Sequence, residues 1–274
     1  MEDDSFLGDF FSTFSDLNLT PVVFGVLGVL VIIILIFLIN KSVRIRKAKE
    51  IHQMLETEFE ETVNYANMIL NVNVKPKTLA TLAEVDVEGV IKHCVELAEK
   101  IDIHCNRPGN FKKIGPLVYK ICRHLNLDSK KCALYFCASL VYDMGFLDLP
   151  EDLFVVDILS KNERKRIQSH VTVTPEKLEF APDEFKSVFE EAIKYHHESM
   201  DGTGFSEGLS GQKIPLVARI IHVAESYISM VTPRNYHRKK NPISALKQLE
   251  TQSHSYDSSL VNALGEVVFD SSYM

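Results

Sequence analysis

The sequence predicts an all-α protein that begins with a membrane-crossing helix. Apolar residues recur at three- to four-residue steps through most of the chain. No convincing alternation of apolar and polar residues marks a strand. One run, Pro21 to Ile39, holds 19 residues without a charge.

Composition sets the outer limits. The 274 residues are 46% hydrophobic, enough for one or two packed domains. The formal net charge of −7 gives no basic excess, which excludes a general nucleic-acid polymer binder. Cys94, Cys105, Cys122, Cys132 and Cys137 show no CxxC spacing. An odd number without a disulfide framework predicts reduced thiols used for packing.

The elements follow in chain order. Residues 1–20 carry Glu2, Asp3, Asp4, Asp9 and Asp16 and neither Lys nor Arg. The next segment, 21–40, contains the apolar run. A helix of that length rises about 28 Å, close to the roughly 30 Å hydrocarbon core of a bilayer. Residues 41–49 carry Lys41, Arg44, Arg46, Lys47 and Lys49. The positive-inside rule then puts the N-terminus outside and the long C-terminal part in the cytoplasm. A cleaved signal peptide would want a basic start and a small-residue cleavage site, whereas this start is acidic. Gly25 and Gly28 are too close for a GxxxG packing face.

Residues 41–75 read as a juxtamembrane stalk and linker. From Ala48 to Leu70 the apolar positions Ile51, Leu55, Phe59, Val63, Ala66 and Leu70 form one stripe, with Glu56, Glu58, Glu60 and Glu61 on the other face. Such a stripe must be covered, either by the chain's own domain or by a second copy, so a homodimer is one expectation. Residues 71–80 form a linker broken at Pro76.

The cytoplasmic part, 76–274, reads as helices joined by short loops. A helical stretch runs from Thr81 to Ile103, and CNRPGN at 105–110 breaks it. Helical periodicity returns over 117–125, 131–146, 162–171, 184–198, 215–231, 243–250 and 259–268.

Five residues on these segments stand out. Asp143 ends an apolar helix, His170 lies in a charged one, His196 and His197 end the next, and Glu225 sits mid-helix. Imidazoles and carboxylates from separate helices, turned into a bundle core, are how bundles build metal sites. Singly, each has an ordinary structural explanation: a capping Asp, a surface His, a satisfied core group. Two adjacent histidines on a helix project about 100° apart, so they do not fully share a face.

The order of motifs adds to this. The chain reads YDMGFLDLP at 142–150, SHV at 169–171, HHESMDGTGFSEGLSGQKIPLVARIIHVAES at 196–226, RNY at 234–236 and YDSSLV at 256–261. Over roughly 105–268 it resembles the HD-GYP branch of the HD superfamily, metal-dependent phosphohydrolases. Those proteins typically read HDIGK…IP, HP, then HHE…DGxGYP…GL…IPLxARI…VAD. The resemblance implies an all-α bundle with two or three metals, often iron or manganese, that hydrolyses cyclic di-GMP. A bacterial inner membrane is the corresponding location, with a cyclic dinucleotide and a homodimer or signalling protein as partners.

Several positions depart from that pattern. Asn110 stands where the family's first histidine is expected, Tyr142 replaces the histidine of HD, and Phe146 replaces the lysine of HDxGK. Val171 follows His170 in place of proline, Glu225 replaces the aspartate of VAD, and GYP has become Gly204, Phe205, Ser206. By the resemblance, one metal keeps Asp143, His170, His196 and His197. The other is offered only Asn110, Tyr142, Asp143 and Glu225, a poorer site. One divalent ion, Fe, Mn or Zn, is therefore expected and a second is not. Asp143 is carried over as the catalytic carboxylate.

Loss of a cation at Phe146 and of a hydroxyl at Phe205 reduces charge stabilisation, and weak or absent hydrolysis follows. The alternative is an active phosphodiesterase working with one metal. Gly204, Phe205 and Arg219 are the candidate ligand-binding residues, Arg219 either touching a phosphate or holding the loop. The run RNYHRKK at 234–240 is either a solvated loop or a contact for phosphate or anionic lipid.

Overall fold

A computed structural model describes residues 20–73, 87–156, 158–172, 175–233 and 239–269, with side chains beginning at Val29. Among these residues there are helices and turns and no strand, as the periodicity predicts. The chain divides into two compact units, 1–54 and 55–274.

Helix α1 runs from Thr20 to Asn73. In the first unit every described side chain from Val29 to Met54 is exposed. Among the described residues, no helix is long and apolar enough to cross a membrane. The predicted span opens with residues 21–28, whose side chains lie outside that description, as do residues 1–19.

In the second unit Phe59, Val63 and Ala66 of the stalk stripe are covered by the chain itself, and the Leu70 side chain lies outside the described residues. Phe59 is buried and meets Phe111 edge-on at 5.2 Å and Phe136 at 5.9 Å. Ala66 is fully buried, and Val63 packs on the same core. Glu56 pairs with Lys112 at 2.6 Å and Glu58 with Lys120 at 3.0 Å, so these two acids border the packed face and do not oppose it. Glu60 and Glu61 are exposed as expected. The segment available to a second copy is thus reduced, because Phe59 to Ala66 already has an intramolecular partner. Most of the predicted linker, 74–80, lies outside the described residues.

Helix α2, Val87–His104, buries Val90, Ile91, Cys94, Ala98 and Ile101 at helical spacing. The CNRPGN turn then reverses the chain, with positive φ at Asn106 (51°) and Gly109 (76°). The Asp102 carboxylate accepts the Phe111 N–H at 2.8 Å and so caps α3, Phe111–His124. Helix α4, Ser129–Val141, is capped by Asp128, which accepts from Lys131 N at 2.9 Å. Its residues Cys132 to Val141 are all buried, which makes it the central helix of the bundle. Gly115 lets α3 approach it closely: a Cβ there would lie 2.8 Å from the Phe136 ring.

The predicted helix 131–146 is in fact interrupted. The α-helix stops at Val141, and residues Met144–Asp148 form a 3₁₀ turn. Helix α5, Lys161–Gln168, starts with a Ser160/Glu163 capping box and tightens into a 3₁₀ turn at Ser169–Val171. Helix α6 covers Asp183–Tyr195, α7 Leu216–Val231, α8 Pro242–Thr251 and α9 Ser258–Phe269. All five cysteines are buried free thiols.

Candidate metal centre

The site forms where three helices end. Asp143 follows α4, at the start of the 3₁₀ turn, and is 2% exposed. That turn lies directly on the His170 segment. His170 belongs to the 3₁₀ turn after α5, and His196 is the C-cap of α6. Because α6 ends at Tyr195, the two adjacent histidines leave the helix, and the 100° projection no longer separates them. Their rings lie 4.1 Å apart, and His170 sits 5.2 Å from His196 and 5.1 Å from His197.

Backbone carbonyls fix the imidazoles. His170 Nδ1 donates to the Ile167 carbonyl at 2.6 Å. His196 Nδ1 donates to the Ala192 and Ile193 carbonyls at 2.9 and 3.0 Å. A carbonyl only accepts, so each Nδ1 carries a proton, and each ring in its neutral form directs a lone pair from Nε2. These two Nε2 atoms face each other at 3.2 Å. Each also lies 3.5 Å from Asp143 Oδ1, a buried oxygen with no hydrogen-bond partner. These three atoms converge on one point, where either a proton on His196 or a metal ion holds them together. Donor atoms of His170, His196 and His197 lie within 4.8 Å of one another, a spacing that fits one metal ion.

The charges agree with the geometry. Burial pushes the Asp143 carboxyl up, but Arg107, His196 and His170 together outweigh it and hold Asp143 well below the usual range. Burial lowers His170 to about 4 against the pull of Asp143. It also drives His197 well down, with help from His196 and His170. His196 is raised: burial opposes its charge, but Asp143 and Glu225 more than offset that. Burial thus favours the neutral form of His170 and His197, and Asp143 favours the charged form of His196.

The other side of Asp143 is closed. Arg107 donates to Asp143 Oδ2 and lies 3.3 Å from Asp102 Oδ1. Burial raises Asp102 to about 6 even against this arginine. The guanidinium sits 5.6 Å over the Phe146 ring, and Phe146 stacks on His170 at 4.0 Å. Tyr142 meets His196 edge-on at 4.9 Å, and its buried hydroxyl has no hydrogen-bond partner. Asn110 is buried at the start of α3 and makes no side-chain cap. Glu225 acts on Tyr142 and His196 by its charge, but it is not among the clustered donors.

The loop after the histidines is packed onto them. Phe205 stacks on His197 at 4.6 Å, and its N–H donates to the His197 carbonyl at 3.1 Å. A Cβ on Gly204 would come within 2.3 Å of Ser199 N, so only glycine fits there. Glu198 Oε1 accepts from Glu207 N and Gly208 N at 2.7 and 3.0 Å. Asp201 holds a local turn through Thr203, and Glu207 pairs with Lys194. Arg219 donates to the Ile214 carbonyl and to Asp257, the structural option of the two expected for it. Residues 234–238 of the basic run lie outside the described residues.

Sequence reasoning missed three contributors. Asp102 precedes the CNRPGN break and Arg107 lies inside it, where an arginine in an otherwise uncharged turn was the available signal. His222, one turn before Glu225, is lowered to about 4 by burial and by His196, while the backbone of His196 and Glu198 pulls the other way.

Comparisons with known proteins point the same way. The HD domain family matches residues 86–260. The response regulator RpfG of Xanthomonas campestris pv. campestris, a cyclic di-GMP phosphodiesterase, is 26% identical over 196 residues, 70% of this chain and 52% of its own. A cyclic di-GMP phosphodiesterase of Thermotoga maritima is 25% identical, covering 57% of this chain and 42% of that protein. The 3'3'-cGAMP-specific phosphodiesterase 1 of Vibrio cholerae is 31% identical, covering 46% and 29%. The chain thus spans about half the length of these relatives or less. In fold it is similar to Bd1817, an HDG"Y"P protein from Bdellovibrio bacteriovorus, with a TM-score of 0.52, 14% identity and coverage of 79% of this chain and 72% of that one.

Proposed function

The chain belongs to the HD domain family, and on that premise we propose that it is an HD-GYP-like module of cyclic di-GMP signalling with one divalent metal and little or no hydrolytic activity. The single observation that carries the metal is the convergence of His170 Nε2, His196 Nε2 and Asp143 Oδ1. His197 completes the donor set. The cyclic dinucleotide is proposed from the substrates named for the relatives.

A divalent ion in this position supplies Lewis acidity toward a phosphoryl oxygen and makes water a nucleophile near neutral pH. The chain's own residues supply the rest. Asp143 remains a carboxylate and offers Oδ1 toward the imidazoles. The Ile167, Ala192 and Ile193 carbonyls keep Nε2 free on His170 and His196. Phe205 and Phe146 cover two imidazoles and keep water from their faces.

Weak turnover follows from what surrounds this donor set. Phe146 puts an apolar ring where a phosphate-facing cation is expected, and Phe205 offers no hydroxyl. Tyr142 and Asn110 stand where the resemblance expects imidazoles. A second reading, an active phosphodiesterase with a mononuclear site, is favoured by the intact His170, His196, His197 and Asp143. Turnover of cyclic di-GMP and 3'3'-cGAMP by wild type and His196→Ala separates the two. Product near background from both supports a signalling module that works by binding. Clear product that depends on His196 overturns it in favour of the enzyme.

The proposed location is a bacterial inner membrane, single-pass, with the 55–274 unit in the cytoplasm. The apolar run 21–39 and the acidic-to-basic change across it support this.

A further inference from the structure

We propose that Arg107 is a built-in cation that takes the place of a second metal ion, so that this site is complete with one divalent ion. The inference rests on the metal reading above. It starts from the division of labour at Asp143. Oδ1 faces the two Nε2 atoms at 3.5 Å, while Oδ2 is occupied by the Arg107 guanidinium. One carboxylate therefore bridges the imidazole cluster and a permanent positive charge.

The setting of Arg107 is built for this contact. Its own N–H donates to the Asp102 carbonyl at 2.8 Å, and its carbonyl accepts the Asn110 N–H at 3.2 Å, which pins the turn. Positive φ at Asn106 and Gly109 folds the turn inward. The side chain is 14% exposed and lies between Asp143 and Asp102, exposed 2% and 4%. Phe146 adds its ring face at 5.6 Å. Two buried carboxylates and one aromatic face thus surround the guanidinium, and without it both acids would lack their shared counter-charge.

The same arrangement excludes a second divalent ion. Asn110 and Tyr142 stand at the two positions where the resemblance expects imidazoles. Oδ2 is taken, and a new dication would sit beside a fixed positive charge. An arginine does not exchange with solvent, so chelators that strip the imidazole cluster leave this cation in place.

The test uses the full chain reconstituted with Zn²⁺ or Mn²⁺, with bound metal counted by elemental analysis and by calorimetric titration. Wild type and Asn110→His/Tyr142→His are each expected to bind one equivalent. Adding Arg107→Gln to the double variant is expected to raise that to two. Two equivalents with Arg107 present, or no second equivalent after its removal, overturns the proposal. A simpler variant guards against misfolding. Arg107→Gln alone should melt lower in EDTA and gain more from added Zn²⁺ than wild type does, because the freed carboxylates accept the ion. An equal or smaller gain overturns the proposal. Failure of the metal reading itself looks different: wild type and His196→Ala would then respond identically to metal.

Discussion

Gly145 lies so close to His170 that a Cβ on the glycine would sit 1.9 Å from the His170 carbonyl oxygen. This contact sets the distance between Asp143, two residues earlier, and the His170 ring. Gly145→Ala cannot be accommodated without pushing the two 3₁₀ turns apart. The expected cost is about 3 kcal/mol, as for overpacking a rigid core. Metal affinity should fall by at least tenfold, because Asp143 and His170 lose their common focus. Thermal unfolding and a zinc titration of the variant measure both.

Phe146 stands where the resemblance expects a lysine, yet it stacks on His170 and lies beneath Arg107. Phe146→Lys alone should therefore fail to restore hydrolysis. The new ammonium would face the Arg107 guanidinium and lose both aromatic contacts. A lower melting temperature with turnover of cyclic di-GMP still at background is the expected outcome. A gain in turnover from this single change would show that the missing cation, and not the closed far side, limits activity.

Arg219 and Asp257 link α7 to the segment before α9. Burial raises the Asp257 carboxyl, but hydrogen bonds from Ser259 and Arg219 outweigh it and hold Asp257 below its usual range. A depressed carboxylate contributes stability above its unfolded pKa of about 4, and loses it as pH falls through the lower folded value. Asp257→Asn should therefore melt below wild type at pH 7, and the gap should close as pH drops below about 4. Melting curves over that range check the sign.

The anchor makes a separate prediction. The full chain expressed in bacteria should sediment with membranes, resist a high-salt wash and dissolve in detergent. Deleting 21–39 should release it. Recovery of the full chain in the salt-washed supernatant would contradict the anchor.

Much of the fold was legible because apolar residues recur at helical spacing through the bundle. The Ser160/Glu163 box, Asp128 before α4 and Pro215 before α7 mark starts that periodicity alone would leave uncertain by a residue or two. The break after Val141 was not legible. Periodicity continues through Met144 and Phe146, whereas the chain turns there into a 3₁₀ segment that packs Gly145 on His170. The cluster of His170, His196, His197 and Asp143 was legible as residue types in order, but its geometry was not. Adjacent histidines can converge because α6 ends at Tyr195, a boundary that periodicity over 184–198 hides. The pairing of Arg107 was hidden for a plainer reason. Its partner Asp143 is 36 residues away, and nothing local announces the pair. The stalk's two options were equal in sequence; Phe59 meeting Phe111 favours cover by the chain's own domain over that segment.

The central claim is one divalent ion held by His170, His196, His197 and Asp143. Elemental analysis of the reconstituted full chain tests it most directly, with His196→Ala as the control. The account predicts close to one equivalent of iron, manganese or zinc in total for wild type and a near-total loss in the variant. No bound metal in wild type, or the same amount in His196→Ala, would contradict it.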